Sequence, residues 1–250
     1  MINKNPIQDI DFLNETSLLD ISLIVKWKKK LKKYNFEKLP KTAIISLNKY
    51  VLDSKIRFLS KKIKGLIGQN FILNKNIIYC SEFGNGAPAI VGILEELRIL
   101  GIENFIFIGL AGIISKKSNS EDVFLVNNCY STTGCTDFYS KKESLKPTYN
   151  LWFQNLKSQL NLPETICWST DAPFRETKSL LSFYIEKQAT HVDMECAAIY
   201  AFANYHKVNA LCCIVSADDL SDYSWKPPSN LKTINSSLKA TVSKFIAIIK

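Results

Sequence analysis

The sequence predicts an α/β domain, and three observations carry that reading. Residues 77–109 follow a strand, glycine turn, helix, strand rhythm: an apolar strand at 77–80, a turn at 82–88, a helix face of Ala89, Ile90, Ile93, Leu94, Leu97 and Leu100, and a strand at 105–109. The segment 105–109 is continuously apolar, and 210–216 nearly so, as strands are in a sheet covered on both faces. No stretch rich in Gly, Ser or Pro divides the 250 residues, and no internal repeat is visible, so one domain is the simplest organisation.

Each element has a local reason. Residues 1–40 read as an N-terminal helical extension, with a helix at 17–33 whose Leu18, Ile21, Ile24, Val25 and Leu31 recur at helical spacing, stopped by Pro40. The α/β domain then spans 41–250. A short buried strand lies at 43–47, and two apolar segments at 71–73 and 77–80, split by Asn74-Lys-Asn76, read as a hairpin. Pro88 suits a first helical turn, where its missing N–H costs nothing, and Gly101 suits the helix end. Further strands are expected at 123–126, 165–168, 191–193 and 210–216. Helices are expected at 151–160, 178–187, 195–206 and 230–250, and a polar loop at 129–149.

Composition excludes several classes. With 46% hydrophobic and 22% charged residues the chain is not globally disordered, and 9 Gly with 8 Pro exclude a collagenous one. The longest strongly apolar run, 105–114, is too short to span a bilayer as a helix, and the first residues lack the pattern of a signal peptide. Seven Cys without a Cys-x-x-Cys pair, and only two His, offer no zinc-ligand cluster; the thiols read as buried hydrophobes of a reducing compartment, so a cytoplasmic protein is expected. Part of the net charge of +9 is the lysine run at 26–33, with Lys61, Lys62 and Lys64, which reads as a solvated helix face; no membrane or nucleic-acid partner is expected.

Five junctions carry polar groups where open α/β sheets gather ligands: Gly84-Asn85-Gly86, Gly109-Leu110-Ala111-Gly112, Ser169 to Thr177, Asp193-Met194-Glu195, and Val215 to Asp219. Singly, each has a plain explanation as a turn, a capped loop or acids at a helix N-terminus. The glycine turn is neither a Walker loop nor a dinucleotide fingerprint, because no Gly-Lys-Ser/Thr and no third glycine follow.

Together and in this order they resemble the nucleoside phosphorylase family, the branch that holds uridine phosphorylase, hexameric-type purine nucleoside phosphorylase and related nucleosidases. Val192-Asp-Met-Glu-Cys-Ala-Ala198 is similar to the family's V-x-M-E-x-A-A helix start, and Phe83-Gly-Asn-Gly-Ala-Pro88 to its G-M-G-x-P turn. Gly109-Leu-Ala-Gly112 is similar to its G-T/S-x-G loop, Ser169-Thr-Asp-Ala-Pro-Phe174 to its S-x-D-x-F/Y segment, and Val215-Ser-Ala-Asp218 to its V-S-D strand end. The resemblance implies a single α/β domain with a mixed central β-sheet flanked by helices, and cleavage of the N-glycosidic bond of a nucleoside. It implies that Glu195 accepts the ribose hydroxyls, Met194 packs beneath the sugar, and Asp218, or Asp219 beside it, hydrogen-bonds or protonates a purine base. Phe174 (or Pro173) would flank the base, and Arg175 would face a pyrimidine carbonyl. Gly86, Gly109 and Ala111 would line the substrate. Arg175 leans towards uracil and Asp218 towards a purine.

The pattern breaks at phosphate. Where the phosphorolytic members place an arginine and a Thr/Ser, this chain has Phe107 and Leu110. The stretch expected to carry a second arginine reads Ser46-Leu-Asn-Lys-Tyr50, with Lys49 or Arg57 as substitutes. The phosphate-binding residues therefore stay unassigned. His191 and His206 are expected to be structural. The leading expectation is phosphorolysis to free base and pentose 1-phosphate, with inorganic phosphate as co-substrate and no metal or organic cofactor. The alternatives are a nucleosidase that uses water, and a nucleoside-binding or scaffold protein without catalysis. The expected partners are a small-molecule nucleoside and further copies of the chain, as a dimer or hexamer.

Overall fold

A mixed ten-stranded sheet forms the centre of the molecule, with helices on both faces. The computed structural model describes residues 12–47 and 51–249. In chain order the elements are α1 (Ile21–Lys30), β1 (Thr42–Ser46), α2 (Ser54–Leu59), β2 (Lys61–Ile63), β3 (Gln69–Ile72), β4 (Ile77–Ser81), α3 (Ala87–Ile99), β5 (Asn104–Ile113), β6 (Val123–Thr132), β7 (Ser144–Leu145), α4 (Leu151–Leu160), β8 (Glu164–Thr170), α5 (Lys178–Glu186), β9 (His191–Asp193), α6 (Cys196–His206), β10 (Asn209–Asp219) and α7 (Leu231–Ile248). Two short 3-10 helices lie at Gly134–Phe138 and Pro173–Arg175.

The strand pairing closes on itself. β5 pairs parallel with β10, β10 antiparallel with β6, β6 and β9 parallel with β8 on its two sides, and β9 antiparallel with β5 again. β1 and β4 extend this ring in parallel from β5, and β3 and β2 add antiparallel strands beyond them. β5 therefore has three neighbours. β10 runs along one edge throughout; the other edge is shared, with β1 against Asn104 to Ile108 and β9 against Gly112 and Ile113. Between them Gly109, Leu110 and Ala111 face no strand on that side among the described residues.

Apolar packing holds the helices to both faces. α3 contributes Ile90, Ile93, Leu94 and Leu97 to one core, together with α6. α6 is buried all round from Cys196 to Ala203, as an apolar helix in an interior must be. Phe153 and Leu160 of α4 and Leu238, Val242 and Phe245 of α7 fill the opposite core. Pro88 sits in the first turn of α3, and Gly101, at φ +98°, follows its C-cap Leu100. All seven cysteines are free thiols. Among the described residues no helix is long and apolar enough to cross a membrane.

Several expectations need correction. The segment Gly109 to Gly112 is not a turn after a strand; β5 runs through it, because β10 pairs with it residue for residue as far as Ala111. Residues 129–132 belong to β6 rather than to a loop, held by β8 on one side. The elements α2 and β2, six and three residues long, are too short to show an apolar period. α1 is shorter than expected, and of its five expected apolar contacts only Val25 is fully buried, while Leu18 and Leu31 are exposed. An ion pair supplies the missing attachment: Lys28 Nζ donates to Glu96 of α3 at 2.7 Å and to the Gly65 carbonyl at 3.0 Å, and Tyr34 donates its hydroxyl to the same Glu96 at 2.5 Å.

Candidate active site

A cavity of about 330 Å³ opens where β5 changes neighbours. Leu110, Ala111 and Gly112 of β5 line it, with Val192, Asp193, Met194 and Glu195 from β9 and the start of α6. Ala217 and Asp218 come from the end of β10, and Pro173 and Glu176 from the loop after β8.

The α6 end is built from hydrogen bonds. Asp193, 4% exposed, accepts the backbone N–H groups of Cys196 at 2.7 Å and Glu195 at 3.1 Å, and the Ser169 hydroxyl at 2.5 Å. It thereby caps the helix, the role that acids at a helix N-terminus have without any ligand. Glu195, two residues on, is 2% exposed and accepts the Gly86 N–H at 2.6 Å. Gly86 has φ +86°, a region that favours glycine, and a Cβ there would come within 3.6 Å of the Met194 methyl. The glycine turn thus serves as a holder for Glu195. Burial, reinforced by the neighbouring Asp193 carboxylate, pushes Glu195 up to about 7. Burial also raises Asp193, against the hydrogen bonds it accepts.

The opposite end is set by a bulge. β10 matches β5 residue for residue to Ser216 opposite Ala111, then slips by one so that Asp219 faces Ile113. A bulge re-aims side chains, and here Asp218 lines the cavity. The Trp225 indole N–H donates to Asp218 Oδ2 at 2.8 Å. Asp219 does not line the cavity. Its backbone exchanges two hydrogen bonds with Lys226, and its side chain accepts from Ser221 N–H, so it fixes the loop that carries Trp225. Glu176 lies in the same end; burial and the Asp218 charge push it up to about 7.

The expected site residues therefore divide. Glu195, Met194, Ala111 and Asp218 line one cavity. Gly86 supports it from behind. Gly109 is required by a different contact: a Cβ there would lie 2.5 Å from the Phe107 ring, so that ring packs flat on the strand where a side chain would otherwise stand. Phe174 is 98% exposed and Arg175 is exposed, and neither lines the cavity; Pro173 does. The short 3-10 helix turns those two side chains outward. Arg57, on α2, borders a separate depression with Phe58 and Lys62. Lys49 lies outside the described residues. His191 is fully buried, bonded to Thr165 and Ser216, and His206 pairs with Glu95 at 2.7 Å. Glu176 lay within the Ser169 to Thr177 junction without being singled out, and Trp225 had no signal in the sequence, since the loop after β8 brings the first and the loop after the bulge the second to Asp218.

The lining holds four carboxyl groups, Glu176, Asp193, Glu195 and Asp218, and among the described residues no Lys, Arg or His. Among the described residues no group of three His, Cys, Asp or Glu side chains is placed to hold a metal ion. Such a cavity favours a neutral ligand rich in hydroxyl and amino donors, and positive charge that develops on it; it opposes an anion.

The profile of the phosphorylase superfamily matches residues 56–247. A DeoD-type purine nucleoside phosphorylase of Brevibacillus brevis is 24% identical over 165 residues, which are 63% of this chain and 70% of the relative. In fold, the chain is similar to a Toxoplasma gondii purine nucleoside phosphorylase in complex with immucillin-H, with a TM-score of 0.69 and 16% identity over 85% of this chain and 91% of the other. It is also similar to a Campylobacter jejuni 5'-methylthioadenosine/S-adenosyl homocysteine nucleosidase, with a TM-score of 0.67 and 14% identity over 84% of this chain and 98% of the other.

Proposed function

The chain belongs to the phosphorylase superfamily, and from that premise we propose that it cleaves the N-glycosidic bond of a purine nucleoside with water as the acceptor. The observation that carries the choice of water is the lining: four carboxyl groups, with Leu110 where phosphorolytic members place a Thr or Ser. Phosphate would meet repulsion there without a guanidinium to offset it.

Each residue then has a task. Glu195, held at one oxygen by Gly86, accepts hydrogen bonds from the ribose hydroxyls. Its charge favours the positive charge that builds at C1′ as the bond to the base lengthens. Met194 packs against the sugar. Glu176, pushed up to about 7 by burial and by the Asp218 charge, holds a proton in part of the molecules near neutrality. That proton goes to the purine ring nitrogen as the base takes the electron pair of the C–N bond. Water adds at C1′ and gives up its proton to a cavity carboxylate, leaving free base and free pentose. Arg175 and Phe174, outside the cavity, take no part, which is why the reading favours a purine over a uracil base.

The name of the Brevibacillus relative favours phosphorolysis as a second reading. One assay separates the two: incubate the protein with a panel of purine and pyrimidine nucleosides, with and without phosphate, and quantify the sugar product. Free pentose at the same rate in both conditions is expected. Pentose 1-phosphate, formed only with phosphate, would establish the second reading. No cleavage, together with a ligand-induced rise in melting temperature, would establish a binding protein without catalysis.

A further inference from the structure

The inner side of α1 is held through Val25 and the Lys28–Glu96 pair, whereas its outer side carries exposed apolar residues. Leu23 and Trp27 on the helix are 58% and 59% exposed, and Leu19 and Leu31 at its two ends are 76% and 47% exposed. Leu23, Trp27 and the C-cap Leu31 stand at steps of four residues, the spacing that lines side chains along one helical face, while Leu19 precedes the N-cap Asp20. Lone exposed leucines are ordinary, but an aligned row of two leucines and a tryptophan is a contact surface. Lys26, Lys29 and Lys30 are exposed on the adjoining sector, and Lys32 and Lys33, also exposed, follow beyond the helix end, where Lys32 takes φ +52°. At 100° per residue, Lys26, Lys29 and Lys30 fall together beside the apolar row.

We propose that this face of α1 docks on an anionic phospholipid bilayer, with Leu23, Trp27 and Leu31 entering the headgroup boundary and the lysines over the lipid phosphates. Charge complementarity selects this occupant. A second copy packed on the same row would set lysines against lysines. A nucleic-acid duplex would use the lysines and leave the leucines in water. A lysine sector beside a leucine and tryptophan row matches an interfacial helix.

The test is co-sedimentation of the full chain with vesicles of phosphatidylcholine alone and of phosphatidylcholine mixed with phosphatidylserine. Binding to the mixed vesicles is expected, about tenfold stronger than to the neutral ones and lost at high salt. The variant Leu23→Ser/Trp27→Ser should bind the mixed vesicles about tenfold more weakly. Lys29→Glu/Lys30→Glu should remove the preference for phosphatidylserine. Both variants change exposed side chains, and each should keep the melting temperature of the original chain. Absent or equal binding to the two vesicles, or unchanged binding by the first variant, would overturn the proposal. So would a dimer that dissociates on Leu23→Ser/Trp27→Ser without vesicle binding, or retention of a DNA duplex in place of vesicles.

Discussion

On the proposed reading, Glu195 meets two opposed demands. It must be buried to surround a sugar, and it must be charged to accept hydroxyl hydrogen bonds. Burial beside Asp193 raises it to about 7, so in the free protein it is ionised only in part at neutral pH. Activity that needs the carboxylate should rise as pH climbs through about 7. On the same reading Glu176 has the opposite requirement, because it must hold a proton. Glu176 also lies at about 7, so loss of that proton should lower activity as pH rises further. We expect a narrow maximum of kcat/KM near pH 7. In Glu176→Gln the falling limb should disappear while the rising limb stays; an unaltered profile would remove Glu176 from the mechanism. Asp218→Asn should lower kcat by a factor of about 10² to 10⁴, the usual scale of general-acid catalysis. Glu195→Ala should lower kcat/KM at least about a hundredfold, and unchanged turnover would show that the sugar sits elsewhere.

At the scale of elements, the site depends on a cap and a bulge. Asp193 receives two backbone N–H groups at the start of α6 and the Ser169 hydroxyl, all in the interior. Asp193→Ala would strand those donors, and we expect a loss of roughly 2–4 kcal/mol in urea unfolding, the cost of a lost cap plus unsatisfied buried groups. A loss under about 0.5 kcal/mol, the range of neutral surface changes, would mean that water or another group replaces it. Helices and buried strands were legible in the sequence wherever an apolar period marked them: α3, α4, α6 and β8 lie within a residue or two of their expected bounds. Glycine misled at 109–112. It resembles punctuation in a sequence, yet there it clears space for the Phe107 ring inside a continuous strand. The extra residue in Ser216-Ala-Asp-Asp219 was visible, but only the register against β5 decides that Asp218 enters the cavity and Asp219 holds the loop. Phe174 and Arg175 were expected from a motif, and a motif does not specify which way a three-residue 3-10 helix points its side chains.

For the molecule as a whole, His191 sets a stability trend. It lies at the β9 end of the closed ring, fully buried, and burial lowers it to about 4 from an ordinary 6.5. The unfolded chain takes up that proton first. The contribution of His191 is therefore complete above about pH 6.5 and disappears as pH falls towards 4, a change on the order of 3 kcal/mol. The raised carboxyls Glu195 and Glu176 act oppositely, since they lower stability as pH rises from 4.5 towards 7. Urea unfolding of the original chain and of His191→Asn between pH 4 and 7 should separate the two, with the acid-side loss reduced in the variant. An identical acid-side loss would assign it to other groups. The shared edge of β5 has a mechanical consequence as well. At Gly109, Leu110 and Ala111 the fabric of the ring has a dropped stitch, and the cavity is that opening. A nucleoside lodged there would act as a darn between two lengths of cloth, so hydrogen exchange of those amides in this stretch that point away from β10 should slow when the substrate is in place.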